Sequence, residues 1–196
     1  MMEKLTYGSL LRVFVVPAVC LTLFSPLRSV QAEEEQLTLA QVKQILGDTR
    51  DFSGRDLRGM DLSDMNLTKV NFSGANLQKT KLKRSILAGS NFSKADLSNA
   101  NLEYTDLTKA RLANAVLKGA SLCPANLSGA DLTNADLSGA ILAHAVLSGA
   151  DLTGANLEGA DLDEADFTRA RMKNVRNLDK TISRENAKGL KGPKGK

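Results

Sequence analysis

The chain has 196 residues, of which 42% are hydrophobic and 24% charged, and a formal net charge of +4. It contains one histidine, two cysteines and no tryptophan. With so few reactive side chains, and no Ser/His/Asp or Cys/His set among them, the composition argues against an enzyme, and no cofactor is expected.

Residues 1–32 have the pattern of a cleavable signal peptide. A charged start is followed by a 12-residue apolar run over 13–24 and by small residues that end at Ala32. A membrane span is the alternative, but the run is too short and is interrupted by Pro17. The mature chain is therefore expected to begin at Glu33, without a transmembrane span.

Residues 33–49 form an N-terminal segment with one predicted helix. Thr38 and Gln41 match a capping box at its start. Four apolar residues then share one helical face: Leu39, Val42, Ile45 and Leu46. The pattern predicts a short helix over 39–46 that covers the open end of the element that follows.

Residues 50–174 repeat with a period of five. A large apolar residue stands at every fifth position from Phe52 to Met172, which makes 25 units. Asp or Asn precedes this central residue in 17 units, and Ala stands two positions before it in 16. On an α-helix these residues would spread to all sides, and on a flat strand they would alternate between faces. The chain must therefore turn once per unit, so that the central residues share one interior.

The pattern A(D/N)LXX resembles that of the pentapeptide-repeat family over 50–174. The resemblance implies an all-β solenoid, a right-handed quadrilateral β-helix of about six coils with four units to a coil. A step of 20 residues would then stack three phenylalanine rings on one face. The predicted core contains these central residues: Phe52, Phe72, Phe92, Leu107, Leu127, Leu147 and Phe167.

Both ends of the repeat depart from the pattern. Five bulky residues occupy the alanine position at the start: Arg50, Arg55, Met60, Met65 and Val70. The first coil is expected to be wider, distorted or covered by the helix. After Met172 the phase is lost, and Leu178 comes one step late. Residues 175–196 are expected to form a second cap, with a helix over 178–188 as one option, and a basic disordered tail.

Apolar residues replace Asp or Asn at outward positions near one corner. Ile141 and Val146 adjoin this corner, and Cys123 and Pro124 lie one coil away. An exposed apolar area of this kind favours contact with another protein. The candidate partner surface is Ile141, Ala143, His144, Val146, Cys123 and Pro124.

The sequence gives less support to redox, metal-binding or phosphate-binding sites. Cys123 is the one cysteine of the mature chain, and His144 has no second His or Cys beside it, so exposed side chains are favoured over a redox or metal role. A calcium array of the repeated Asp residues is disfavoured, because Asn alternates freely with Asp and turn capping explains both. The basic tract 79–84 could contact phosphate or anionic lipid, but a solvated wall is favoured.

Charge is distributed unevenly along the repeat region. Residues 50–124 carry 12 basic and 7 acidic residues, whereas 125–174 carry 3 and 8. The 20-residue step predicts two inter-coil ion pairs, Arg111 with Asp131 and Arg171 with Asp151.

The predicted function is a non-enzymatic, exported structural or protein-interaction module that binds another protein through an outer wall. An export signal, a capping helix and one uninterrupted repeat domain resemble the thylakoid-lumenal or periplasmic members of the family, which abound in cyanobacteria. One alternative is DNA mimicry of the kind that protects gyrase, but export and a balance of 15 basic against 15 acidic residues in the repeat oppose it. The other is a metal or redox role of His144 or Cys123. No nucleic acid is expected as a partner, and a monomer is favoured.

Overall fold

The computed structural model describes residues 36–190. The first element is helix α1, Leu39–Asp48. Parallel bridges of single residues then continue as far as Lys188 and replace long strands. Two 3-10 turns, Leu178–Lys180 and Arg184–Asn186, lie near the end of this region. The part of the chain described here is therefore one α-helix followed by a β-solenoid.

Each bridge as far as Asn156–Arg176 joins a unit to the unit 20 residues later, so four units complete one coil. The bridge residues form four columns, which define face 1 from Asp51, face 2 from Asp56, face 3 from Asp61 and face 4 from Asn66. Backbone hydrogen bonds run along every column. Stacking supplies the core that no single coil possesses.

Each unit ends in a tight turn. At Gly129, for example, the φ angle is +66°, and the N–H of Ala130 donates to the carbonyl of Leu127 at 3.0 Å. A turn of this type requires a positive φ at its third residue, which glycine adopts without strain. Bulkier residues also occupy this position, among them Tyr104 at +58° and His144 at +56°.

Asp or Asn in front of the central residue caps the turn that follows. Asp136 Oδ1 accepts a hydrogen bond from the Ser138 N–H at 3.1 Å and another from its hydroxyl at 2.7 Å. Asn126 Oδ1 accepts the same two bonds from Ser128. Because both residue types offer this oxygen, they are interchangeable here. The turn-capping interpretation of the repeated Asp and Asn residues is confirmed.

The core is a buried column of central residues, flanked by the small residues at the alanine position. All central residues from Phe52 to Phe167 are at most 1% exposed. The rings of Phe52, Phe72 and Phe92 stack with centroids 5.4 and 5.0 Å apart, as their spacing predicts. Four hydroxyl side chains replace alanine in the interior, and each donates to a backbone carbonyl: Thr80, Ser85, Ser90 and Thr105.

Helix α1 packs against the core of the β-helix through Val42, Ile45 and Leu46. The capping box of Thr38 and Gln41 is present, and Val42 is buried. Met60 and Met65, which replace alanine, are partly buried against the core. These bulky residues therefore lie at the same end of the core as helix α1.

Arg50 completes this end of the structure. Its guanidinium donates to the carbonyls of Asn66 at 3.2 Å and Thr68 at 2.9 Å. In later coils the equivalent oxygens accept from the preceding coil; that of Ile86, for example, accepts from the N–H of Leu67 at 2.8 Å. The Arg50 guanidinium therefore replaces the N–H donors that a preceding coil would provide. It also protects this edge of the β-helix from pairing with another chain.

The loss of phase near the C-terminus consists of two one-residue insertions. Asp161 bridges Ile182 and Asp166 bridges Lys188, at separations of 21 and 22 residues. The two 3-10 turns absorb the extra residues. The bridge columns thus continue beyond 174, and 178–188 forms part of a coil instead of an α-helix.

Two predicted segments lie outside the described residues: the signal peptide, 1–32, and the end of the basic tail. Across 36–190, no helix has the length and apolar character needed to cross a bilayer.

Candidate functional site: the Pro124 corner

The predicted partner surface lies at the turns between faces 3 and 4, which we call the Pro124 corner. One residue from each turn forms a column along it: Asp64, Arg84, Tyr104, Pro124, His144 and Glu164. This column contains no glycine. The turns between faces 1 and 2, the opposite corner, carry small or amide residues at most of the same positions: Gly54, Gly74, Lys94, Asn114, Asn134 and Gly154.

Pro124 interrupts the hydrogen-bond ladder at this corner. In other turns the N–H of the positive-φ residue donates to a carbonyl of the next coil, but proline has no N–H. Tyr104 N–H also donates to the carbonyl of Pro124 itself, at 2.6 Å, instead of that of Cys123. Within 36–190, the carbonyls of Cys123 and Ala143 accept no hydrogen bond. The other carbonyls at this position between residues 73 and 173 all accept one.

Exposed apolar side chains surround the interruption. Ile141 on face 3 is 44% exposed, Val146 on face 4 is 38% exposed, and Tyr104 at the corner is 60% exposed. The remaining exposed large apolar residues of the β-helix, Ile86 and Ile182, also belong to faces 4 and 3. In the described part of the β-helix, faces 1 and 2 carry no such residue. The apolar surface is therefore one-sided.

The structure places all six predicted surface residues at this corner. Ile141, His144 and Val146 are exposed, and Cys123, Pro124 and Ala143 are half-buried. Sequence reasoning missed Tyr104, although it precedes Pro124 by one 20-residue step and so must share its column.

Ion pairs occupy the N-terminal half of the corner. Lys83 Nζ lies 2.7 Å from Glu103 Oε2, and Arg84 Nε lies 2.6 Å from Asp64 Oδ1. These pairs neutralise two cations of the tract 79–84. The tract is therefore a poorer site for phosphate or anionic lipid than its sequence suggests.

The surroundings of His144 and Cys123 do not favour reactivity. His144 Nδ1 lies 3.3 Å from Glu164 Oε2 on the exposed surface. Burial raises the pKa of the Cys123 thiol, and the carboxylates of Glu103 and Asp161 raise it further. A thiol with a raised pKa is a poor nucleophile at neutral pH. Across the described residues, no group of three or more His, Cys, Asp or Glu side chains is placed to hold a metal ion.

One of the two predicted ion pairs on face 1 is absent. Arg171 Nη2 lies 2.7 Å from Asp151 Oδ2, as predicted. Arg111 neighbours Asp131 in the bridge column, but within 36–190 their side chains form no ion pair, so this prediction is wrong. On an exposed wall such a pair contributes too little free energy to fix a long side chain.

The family follows from a comparison with known proteins. The sequence profile of pentapeptide repeats matches this chain in eight copies, over residues 51–84, 76–114, 105–142 and 140–176. The chain belongs to the pentapeptide repeat family. Pentapeptide repeat proteins fold as right-handed quadrilateral β-helices, in agreement with the four bridge columns. They generally act as structural or interaction modules.

Similar solved structures come from the same family. Rfr23 of the cyanobacterium Cyanothece 51142 is 27% identical, and the match covers 74% of this chain and 99% of Rfr23 with a TM-score of 0.49. A thylakoid-lumen protein of Arabidopsis thaliana is 31% identical over 58% of this chain and 68% of its own, with a TM-score of 0.32. The plasmid-mediated fluoroquinolone resistance protein QnrB1 is 24% identical over 71% and 85%, with a TM-score of 0.31. No curated protein sequence matches the chain.

Proposed function

We propose that this pentapeptide repeat protein is an exported, non-enzymatic module that binds another protein through the Pro124 corner. The observation that supports this is the one-sided distribution of exposed apolar side chains on faces 3 and 4. Single exposed apolar residues are common on any protein surface. Their concentration beside one corner is typical of a contact surface.

Photo-crosslinking tests the proposed surface. A photoreactive phenylalanine analogue replaces Tyr104 at the Pro124 corner, or Asn114 at the opposite corner, and the protein is irradiated in its native compartment. We expect a discrete crosslinked protein from position 104 and none from position 114. Equal crosslinking from both corners would contradict the proposal, because it would show no preferred side.

Substitutions toward the repeat pattern provide a second test that preserves folding. Ile141→Asn and Val146→Asn remove apolar side chains and supply the oxygen that caps a turn. Val116→Asn makes the same change on face 2 and serves as the matched control. We expect the first two variants to lose the crosslinked product and the third to retain it.

The proposed export depends on residues 1–32. If the signal peptide is removed as proposed, the protein isolated from cells begins at Glu33, in the thylakoid lumen or the periplasm. N-terminal sequencing of the native protein after subcellular fractionation tests this. A protein that retains Met1 in a soluble fraction of the cytoplasm would overturn it.

A further inference from the structure

We infer that the Pro124 corner binds a lysine or arginine side chain of its partner, flanked in the partner chain by apolar residues. This inference rests on the proposed function of the corner and adds the chemistry of the segment that it recognises. Its starting point is the pair of backbone carbonyls at Cys123 and Ala143, to which no donor within 36–190 is directed.

Two acceptors in neighbouring coils match a ligand with several donors. Coils repeat at about 4.8 Å, the usual distance between paired strands, and this spacing suits one cationic group that bridges two neighbouring coils. An ammonium group carries three donors and a guanidinium five, and neither accepts a hydrogen bond. A carboxylate or phosphate would instead place acceptors against acceptors.

The charge around the two carbonyls also favours a cation. Glu103, although paired with Lys83, and Asp161 lie close enough to Cys123 for their negative charge to raise the pKa of its thiol. Asp163 and Glu164 occupy the corner one coil beyond Ala143. Within 125–174, acidic residues outnumber basic ones by 8 to 3. A basic group therefore meets an attractive potential here, and an acidic group is repelled.

The apolar side chains define what must flank the basic residue. Ile141 lies on face 3 and Val146 on face 4, so the two adjoin the corner from opposite sides. In an extended segment, residues two positions apart point the same way. A segment with the pattern apolar–x–basic–x–apolar thus places its charge over the carbonyls and its apolar residues toward Ile141 and Val146.

A peptide titration tests this assignment. The probe is acetyl-Leu-Ser-Arg-Ser-Leu-amide, added to the isotope-labelled full chain, and NMR follows the backbone carbonyl signals. We expect the signals of Cys123 and Ala143 to move together and saturably. Replacing the arginine of the peptide by glutamine should weaken binding about tenfold, because hydrogen bonds from a charged donor are lost. Replacing it by glutamate should abolish binding.

A protein variant separates the specific site from general attraction to an acidic surface. Pro124→Asn supplies an N–H and allows the positive φ of the neighbouring turns, at which this N–H would donate to the carbonyl of Ala143, and it should weaken binding of the arginine peptide about tenfold. Gly139→Asn introduces asparagine at an equivalent turn with no heavy atom within 4 Å of the new Cβ, and should leave binding unchanged. Equal binding of the arginine and glutamine peptides, or unchanged binding by Pro124→Asn, would overturn the inference.

The contact surface and its cationic ligand can be contradicted separately. If Tyr104 crosslinks a partner but the arginine peptide shows no preference for the corner, the contact surface stands and the cationic ligand is wrong. If the peptide binds elsewhere and no crosslink forms, both the surface and its ligand are wrong.

Discussion

The Pro124 corner and the opposite corner turn the chain with different residues, and at Pro124 itself the φ angle is not positive. At the opposite corner glycine and asparagine supply most of the positive φ angles, and the ladder is continuous. At the Pro124 corner Tyr104 and His144 are held at positive φ, and proline breaks the ladder. A bulky residue in this conformation costs about 1–2 kcal/mol. The β-helix does not need these residues in order to fold, and their concentration at one corner agrees with the proposed contact surface.

The largest expected effects come from the core beneath each corner. Leu122 leads into the Pro124 turn and Leu112 into a turn of the opposite corner, and both are fully buried. Replacement by alanine should lower the free energy of unfolding by about 2–5 kcal/mol at either site. The loss should be smaller for Leu122→Ala, because the interrupted ladder allows the chain to relax around the cavity. Denaturant unfolding measures both, and a larger loss at Leu122 would show that the Pro124 corner is the more rigid one.

The next largest expected effect on stability comes from introducing proline at the opposite corner and removing it from the Pro124 corner. Asn114→Pro removes an N–H that donates to Thr133 at 2.9 Å and forces proline into a φ of +59°, so it should destabilise by about 3 kcal/mol or more. Pro124→Asn allows the positive φ that the other turns use and supplies a donor for the carbonyl of Ala143, so it should stabilise by about 1 kcal/mol. Thermal unfolding of both variants tests the contrast. Destabilisation by Pro124→Asn would mean that the turn depends on proline for its own stability.

Much of this contrast can be predicted from the sequence, because the 20-residue step identifies neighbours along each column. The step relates Arg84 to Asp64 and His144 to Glu164, and both pairs are present. The same step fails for Arg111 and Asp131, since an exposed side chain has several conformations of similar free energy. Register along a column thus follows from sequence, whereas side-chain contacts on an exposed wall do not.

The structure of the two ends of the β-helix, and of the hydrogen-bond break at Pro124, is harder to predict from the sequence. The extra residues after Met172 are visible in the sequence, but their absorption by two 3-10 turns depends on packing against the previous coil. Arg50 departs from the repeat, yet its role in replacing donors becomes clear only when the open carbonyls of Asn66 and Thr68 are located. The loss of a donor at Pro124 follows from its chemistry. The shift of the Tyr104 N–H to a different carbonyl does not.

A smaller effect should distinguish strained from unstrained turns. His144→Gly relieves the positive φ of a bulky residue and loses only an exposed contact with Glu164, so it should stabilise by about 1 kcal/mol. Asn114→Gly should change stability by less, about 0.5 kcal/mol at most, because asparagine tolerates this conformation. Denaturant unfolding of the two variants gives the difference. Equal effects would show that the Pro124 corner stores no additional strain.

The smallest expected effect is a change in how the free energy of unfolding depends on pH in acid. Hydrogen bonds from the hydroxyl and N–H of Thr153 lower the pKa of Asp151, at a turn of the opposite corner, below its ordinary 3.8, and Arg171 lowers it further. Since the folded pKa is the lower one, this stabilisation is complete above pH 3.8 and is lost as the pH falls through the pKa of the folded state. Asp151→Asn retains the capping oxygen without the titration, so its free energy of unfolding should depend less on pH in this range.

The matched change at the Pro124 corner is Ile141→Asn, which adds a capping oxygen but no carboxyl group. It should raise the free energy of unfolding at every pH and leave its slope against pH unchanged. Denaturant unfolding of the wild type and both variants between neutral and acidic pH measures the two slopes. If Asp151→Asn keeps the wild-type slope, carboxylate caps do not set the acid sensitivity of the opposite corner. The two corners would then differ only in their backbone geometry and apolar surface.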